Sequence, residues 1–139
     1  MPFISVTRLR LRTWRFVPAF FLSAVPINIS ARKSAGNLGV RLLNDRKHTF
    51  WTCTCWESEA AMRAFMLAKP HGPAMRKLME WCDEAATVHW TQDSKELPWW
   101  DEAHRRMQAE GRASKVNHPS ADQIAYKIPA PAVRSKSSK

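Results

Sequence analysis

The stretch of sequence that decides the fold is residues 49–79, which read TFWTCTCWESEAAMRAFMLAKPHGPAMRKLM. Its first eight residues alternate between two sides of an extended chain, with Phe50, Thr52, Thr54 and Trp56 on one side and Trp51, Cys53 and Cys55 on the other. Aromatic and β-branched residues at this period are typical of a β-strand. Because both sides carry large apolar groups, we expect both faces of this strand to be buried.

A broken amphipathic helix follows this strand. Ser58 is a suitable helix N-cap, and apolar residues recur at helical spacing as far as Phe65. The segment 69–73, Lys-Pro-His-Gly-Pro, interrupts the helix, and the helical period resumes at Met75. His71 is therefore predicted to lie at the break, where its side chain is able to point into a cavity.

The rest of the chain adds strands and helices around this unit. We predict strands over residues 3–13, 38–43 and 86–91, a helix over 14–32 and a short helix over 98–107. The resulting order, βαββαβ, predicts an α+β protein with the ferredoxin-like fold: a four-stranded antiparallel sheet with both helices on one face. The other face would be bare although the central strand is apolar on both sides, so we predict a homodimer.

The N-terminal segment allows other interpretations. Its apolar run, residues 16–29, is about 14 residues long and contains two prolines, whereas a membrane-spanning helix needs roughly 20 apolar residues. We therefore predict no transmembrane segment, and we expect Pro26 to kink or end the helix. A basic lead, an apolar run and Ile29-Ser30-Ala31 also imitate a secretory signal. The alternation of residues 3–13 favours a strand instead, with Arg8, Arg10 and Arg12 near an edge or surface.

The net charge of +10 is unevenly distributed along the 139 residues. Residues 111–139 contain six Lys or Arg and one Asp, together with many Ser and Pro, so the preceding part is only mildly basic. We therefore predict one domain over residues 1–110 and a basic tail over 111–139 that is disordered or docks as an arm on a partner subunit. No specific nucleic-acid partner is predicted, because basic tails are usually solvated.

The three cysteines, Cys53, Cys55 and Cys82, are odd in number and lie in apolar segments. We predict buried free thiols in a reducing compartment, and hence a cytoplasmic location. Together with a histidine these cysteines could bind zinc, but no CxxC pair or zinc-ligand spacing supports a metal site. The sequence also lacks the nucleophile–base, phosphate-loop and paired-carboxylate motifs of hydrolases and nucleotide-binding enzymes.

Residues 35–43, AGNLGVRLL, followed by a strand ending Trp-Glu-Ser and a helix leading to a histidine, resemble a known superfamily. This is the dimeric α+β-barrel superfamily of antibiotic-biosynthesis monooxygenases and haem-degrading monooxygenases. The resemblance covers residues 3–108. It is most similar to an uncharacterised, spheroidene-monooxygenase-like branch with a Phe-Trp-Thr strand, a Met-Arg-Ala-Phe helix and a His-Trp pair near the last strand.

The resemblance implies a dimer with facing sheets and a pocket between each sheet and its own helices. The haem-degrading relatives use an asparagine, a tryptophan and a haem-ligating histidine in that pocket. Here the asparagine position offers Ser5 or Thr7, the tryptophan position falls on Phe65, and His71 comes about one helical turn early. Haem ligation by His71 between Phe65 and Met75 remains one prediction, and a helix-capping role for His71 is the alternative.

The antibiotic-biosynthesis relatives imply oxygenation without a cofactor, in a pocket that binds an electron-rich molecule and stabilises its anion. We therefore predict a monooxygenase-like protein that acts on or binds a hydrophobic or aromatic small molecule, with His71 and His89 as catalytic candidates. The predicted pocket residues are aromatic: Phe20, Phe21, Trp51, Trp56, Trp81 and Trp90. Tryptophans at such spacings also serve as plain core, and the alternative function is a non-catalytic dimeric module that binds a small ligand or haem.

Overall fold

The computed structural model of the protein describes residues 1–67 and 71–133, with only the backbone described for residues 71–75. The strands in this part of the chain are β1 (Phe3–Leu11), β2 (Asn37–Asp45), β3 (Thr49–Trp56), β4 (Cys82–Thr91) and β5 (Arg112–Ala113). After a 3-10 turn over Trp14–Phe16, the helices are α1 (Val17–Lys33), α2 (Glu59–Leu67), α3 (His71–Trp81), α4 (Trp100–Glu110) and α5 (Ala121–Ala125).

The strands form one antiparallel sheet in the order β2-β3-β1-β4-β5. The first four strands are arranged as the ferredoxin-like prediction requires, so that fold class is confirmed, with β5 as a short additional edge strand. β1 lies at the centre, hydrogen-bonded to β3 and β4. Its arginines are therefore not at an edge: Arg8 and Arg10 pair with acidic residues of β4 instead.

Two helices were expected to be irregular, the one that contains Pro26 and the one interrupted at residues 69–73. The predicted interruption over residues 69–73 lies in part outside the described residues: α2 is described as far as Leu67, and α3 from His71, so the structure shows residues 71–73 in a helix. α1 continues through Pro26 to Lys33, so of the two expected effects of Pro26, a kink or an end, the end does not occur. Pro26 lies on the exposed side of α1, where water is able to hydrogen-bond the carbonyl that the proline leaves unpaired.

The two faces of the sheet are covered by different parts of the chain. On one face, which we call the helix face, the side chains of α1, α2 and α3 pack against β1, β3 and β4. On the opposite face, which we call the second face, α4 packs through Trp100, Ala103 and Met107. These three residues lie at spacings of three and four, so they share one side of α4. They contact a layer from the sheet that comprises Ile4, Val6, Trp51, Cys53, Cys55, Ala86, Val88 and Trp90.

Residues 111–133, which belong to the segment predicted as a disordered or docking tail, complete the cover of the second face of their own chain. Ile128 is 6% exposed and belongs to the same core as α4, and Tyr126 packs against that core. The side chain of Gln123 hydrogen-bonds both the backbone N–H and the carbonyl of Ala85 in β4. A few apolar anchors and backbone hydrogen bonds thus hold a segment whose average composition is polar.

The argument for a dimer from a bare sheet face does not hold for this structure. α4 and residues 126–133 of the same chain occupy the face that was expected to meet a partner. The homodimer itself remains a prediction, and it would need another surface of the molecule.

Candidate functional site

The helix face carries a polar patch at its centre, which we call the polar floor. Antiparallel pairing places its six residues in two cross-strand rows, Thr54–Ser5–His89 and Thr52–Thr7–Thr87. With strands about 4.8 Å apart and alternate residues about 7 Å apart, the floor measures about 10 Å by 7 Å. The sheet face beneath helices is ordinarily apolar core, so six polar side chains together here require an explanation.

An apolar cluster lies at each end of the polar floor. The first, the Trp56 cluster, comprises Phe3, Trp56 and Met62, with Phe65 and Met66 packed on it. The second, the Phe20 cluster, comprises Leu11, Phe20 and Cys82, with Phe50 and Trp81 among the residues packed on it. The polar floor therefore lies between two apolar clusters, and we call the region of the helix face between these clusters the trough.

Part of the polar floor is held by hydrogen bonds. The indole nitrogen of Trp56 donates to Thr54 Oγ1 over 2.8 Å, which orients that hydroxyl. Within the part of the chain that the structure describes, the side chains of Ser5, Thr7 and Thr52 form no hydrogen bond. Their hydroxyls are therefore able to donate to, or accept from, a molecule that lies on the floor.

His89 is the titratable group of the polar floor. Its ring lies 5.4 Å from the ring of Phe3, and its Nε2 lies 3.4 Å from Thr87 Oγ1. His89 is solvent-exposed, yet desolvation by its surroundings lowers its pKa. Arg112 and Arg63 lower the pKa further, and Glu59 opposes them. His89 is therefore a neutral imidazole at pH 7, which is the form that accepts a proton.

Most of the predicted aromatic pocket residues do lie on the helix face, but in two separate groups. Phe20 and Phe21 both contact Phe50, at ring distances of 4.5 and 5.4 Å. Trp81 belongs to the same Phe20 cluster. Trp56 stacks on Phe65 at 5.4 Å, at the other end of the polar floor. These residues form the two ends of a trough and do not surround one closed pocket.

Trp51 and Trp90 do not join them, because both side chains point to the second face. Trp51 is fully buried against Trp100 of α4, with ring centroids 6.2 Å apart. Trp90 lies beneath Arg106, whose guanidinium carbon is 4.5 Å from the ring centroid. Because side chains alternate along a strand, Trp51 lies on the opposite face from Trp56, and Trp90 on the opposite face from His89. Trp51 and Trp90 are therefore core residues of the second face.

The side chains of two residues predicted to bind haem, His71 and Met75, are not assigned to either face. His71 is the first residue of α3 and Met75 lies in its second turn, but their side chains are outside the described part of the structure. The cysteines are separated by the sheet: Cys53 and Cys55 lie on the second face and Cys82 lies in the Phe20 cluster. They therefore do not form a common metal site.

A small hollow of about 140 Å³ lies on the second face, lined by Asp101, His104, Ala130, Pro131 and Val133. His104 Nε2 donates to the carbonyl of Ile128 over 2.7 Å, so this imidazole holds the backbone at Ile128 in place. The hollow contains neither the polar floor nor any predicted pocket residue. We therefore take the trough as the candidate site, since among the described residues it combines apolar clusters, unpaired hydroxyls and a neutral imidazole.

Sequence reasoning overlooked most of the polar floor. The alternation of residues 49–56 already placed Thr52 and Thr54 on one side of β3, opposite the cysteines. Thr87 and His89 alternate in the same way along β4. What the sequence lacked was the register that aligns these pairs with Ser5 and Thr7 of β1.

Solved structures of other proteins share this fold. One is SnoaB from Streptomyces nogalater, described as a cofactor-independent oxygenase, at 17% identity and a TM-score of 0.53 over 67% of this chain and 94% of that one. Another is described as an antibiotic biosynthesis monooxygenase, at 10% identity and a TM-score of 0.59 over 66% of this chain and 99% of that one. Rv0793 from Mycobacterium tuberculosis matches at 11% identity and a TM-score of 0.61 over 68% and 97% of the two chains.

The chain therefore shares the fold of these structures, which confirms the predicted resemblance for the fold alone. The chain itself belongs to the family described as "Domain of unknown function (DUF3291)", which matches residues 27–135. That match includes α4 and most of the segment that covers the second face. No protein of curated function matches the sequence. None of the described helices is both long and apolar enough to span a bilayer.

Proposed function

We propose that this protein is a monooxygenase-like protein that binds a hydrophobic, aromatic small molecule in the trough on the helix face. The observation that carries the proposal is the polar floor, with its unpaired hydroxyls between two aromatic clusters. Ligand sites commonly combine apolar walls with a few polar groups that fix the ligand's orientation. An aromatic molecule with hydroxyl or carbonyl substituents matches both parts of the trough.

The chemistry that suits this site is oxygenation driven by the substrate's own electrons. A neutral His89 accepts a proton from an acidic hydroxyl or C–H group of the substrate. The hydroxyls of Ser5, Thr7 and Thr52 donate hydrogen bonds to the anion that results. Molecular oxygen is the oxidant: one of its atoms enters the substrate and the other leaves as water. The shared fold with SnoaB, described as a cofactor-independent oxygenase, supports this proposal.

The described residues do not form a haem pocket. A haem needs an axial ligand and apolar surfaces on both sides of the ring. Phe65 stacks on Trp56, whereas Phe20 and Phe21 lie in the other cluster, with the polar floor between them. Haem ligation by His71 therefore remains a prediction from sequence, and we route no step through haem.

Oxygen uptake tests the proposed function. The purified protein, incubated with a panel of quinols and polycyclic phenols, is expected to consume oxygen above the rate of autoxidation. We expect the rate to fall at least tenfold in His89→Gln, since general-base catalysis contributes about 10²-fold or more. His118→Gln is the matched control, because His118 lies outside the trough and bonds only to Glu80 among described residues. Equal rates in the wild type and both variants would contradict the proposal.

A non-catalytic binding module is the second candidate, and the exposure of His89 favours it, because water is not excluded from the base. Such a module would show a higher melting temperature with an aromatic ligand and no oxygen uptake. Thr52→Val removes one floor hydroxyl at nearly constant volume. It should weaken that ligand's binding in either case, so it tests the site independently of the reaction.

A further inference from the structure

The outer face of α1 is apolar along most of its length. Its exposed residues are Pro18, Phe21, Leu22, Val25, Pro26 and Ile29, followed by Arg32 and Lys33. Leu22 is 80% exposed, and Val25 and Ile29 are about half exposed. The sequence has no charged residue between Val17 and Ala31, although the exposed side of a helix on a globular protein is ordinarily charged. A contiguous exposed apolar patch of this kind marks an interaction surface.

Within residues 1–44, which include α1 and the segments on either side of it, all charged side chains have one sign. Residues 1–44 contain no Asp or Glu, and the first acidic residue is Asp45. Arg15 precedes α1, Arg32 and Lys33 occupy its last turn, and all three are exposed. Trp14, at the same end as Arg15, is 64% exposed. The apolar face is thus framed by cations at both ends, with an indole at one end.

This arrangement of charge decides between two kinds of partner. Packing α1 against α1 of a second copy would bring Arg15 near Arg32 and Lys33 in an antiparallel pair. In a parallel pair, each cation would lie beside the same cation of the other copy. Either arrangement brings like charges together, with no carboxylate in residues 1–44 to compensate them. An anionic lipid surface offers apolar depth and negative headgroups together.

We propose that the outer face of α1 docks on the surface of an anionic lipid bilayer. Leu22, Val25 and Ile29 enter the boundary between headgroups and acyl chains, and Arg15, Arg32 and Lys33 contact the phosphates. Tryptophan side chains favour the same interfacial depth, which suits Trp14. The opposite side of α1 keeps Phe20 and Ala31 buried in the protein, so docking requires no unfolding. This proposal does not depend on the proposed function.

Co-sedimentation with vesicles tests the proposal. The full-length protein is mixed with vesicles of phosphatidylglycerol and phosphatidylcholine in equal parts, or with vesicles of phosphatidylcholine alone, at low and high salt. We expect binding to the anionic vesicles that weakens with salt. The double variant L22S/I29S should bind at least about tenfold more weakly, because it buries less apolar surface in the bilayer. R32Q/K33Q should bind about 25-fold more weakly, since each of the two cations near the surface contributes about fivefold.

Two control variants distinguish binding through the outer face of α1 from non-specific hydrophobic or electrostatic binding. L67S/I124S removes two exposed apolar side chains from other helices, and K95Q/K115Q removes two exposed cations elsewhere. Both controls should bind like the wild type. Circular dichroism checks that every variant is folded, and light scattering measures the mass without vesicles. Undiminished vesicle binding by L22S/I29S, or no binding by the wild type, would overturn the proposal. Loss of a dimer in L22S/I29S without vesicle binding would assign the face to a second copy instead.

Discussion

Replacing Glu84 with Gln is expected to lower the free energy of unfolding by about 3 kcal/mol. Glu84 is 1% exposed and Arg8 is 4% exposed, and Arg8 Nη1 lies 2.8 Å from Glu84 Oε1. Removing the carboxylate leaves the Arg8 guanidinium buried without its counter-charge, which costs about 3 to 5 kcal/mol. We take the lower end of that range because the Gln side-chain carbonyl still accepts a hydrogen bond from Arg8.

The same carboxylate joins the C-terminal segment to the sheet. Ser120 Oγ donates to Glu84 Oε2 over 2.7 Å, and Arg10 Nη1 lies 3.4 Å from that oxygen. The substitution is therefore expected to loosen residues 120–128 as well. Hydrogen exchange should show faster exchange at the N–H of Gln123, which donates to Ser120 Oγ.

Urea unfolding followed by tryptophan fluorescence measures the change in stability, and the melting temperature should fall by about 10 °C. Glu59→Gln is the control: its pair with Arg63 is exposed on the surface of α2, so its loss should cost about 0.5 kcal/mol or less. If Glu84→Gln and Glu59→Gln cost the same, Glu84 is not a buried partner of Arg8 and the reasoning is refuted.

The contribution of Glu84 to the free energy of unfolding also depends on pH. Hydrogen bonds from Ser120 and Arg8 and the charges of Arg8 and Arg10 lower the pKa of Glu84, although desolvation opposes them. A carboxyl group whose pKa is lower in the folded state stabilises the fold fully above its unfolded pKa of about 4.3. That contribution is lost as the pH falls through the folded value. Glu84→Gln should therefore be less sensitive than the wild type to acid below about pH 4.

Three further predictions concern the core, the trough and the thiols. Trp100→Ala should cost about 3 to 5 kcal/mol in urea unfolding, because Trp100 is 2% exposed at the centre of the second face. Oxygen uptake that depends on His89 should persist at neutral pH. It should fall only below about pH 6.5, because the folded-state pKa of His89 is lowered, and His89→Gln should remove this inflection in the pH–rate profile. Burial raises the pKa of Cys53 and of Cys82 to about 12. Iodoacetamide should therefore label both thiols at pH 8 only after unfolding, as peptide mass mapping would show.

Local pattern was sufficient to predict most of the elements. The alternation of residues 49–56 predicted β3, and the apolar spacing of residues 14–32 predicted α1. These signals are local, because strand and helix periods depend on neighbouring residues alone. The order of elements then predicted the ferredoxin-like fold, since few topologies accommodate βαββαβ.

The sequence did not show which side of each strand meets which layer. Trp51 and Trp56 belong to one strand and Trp90 to another, and alternation alone does not state which residues on different strands share a face. The register of β1 with β3 and β4 decides this, and it places Trp51 and Trp90 against α4. The same register aligns the six residues of the polar floor, which no local pattern connects.

Tertiary contacts, and not local sequence, determine that residues 111–133 pack on the sheet. By composition, residues 111–133 are polar and basic, which is typical of disorder. Ile128 and Tyr126 nevertheless pack on the second face, and Ser120 and Gln123 hydrogen-bond to β4. The sequence by itself determined β1 to β4, α1 to α4 and their order. The covering of the second face and the assembly of the trough came from contacts between residues far apart in the chain, which no window of sequence contains.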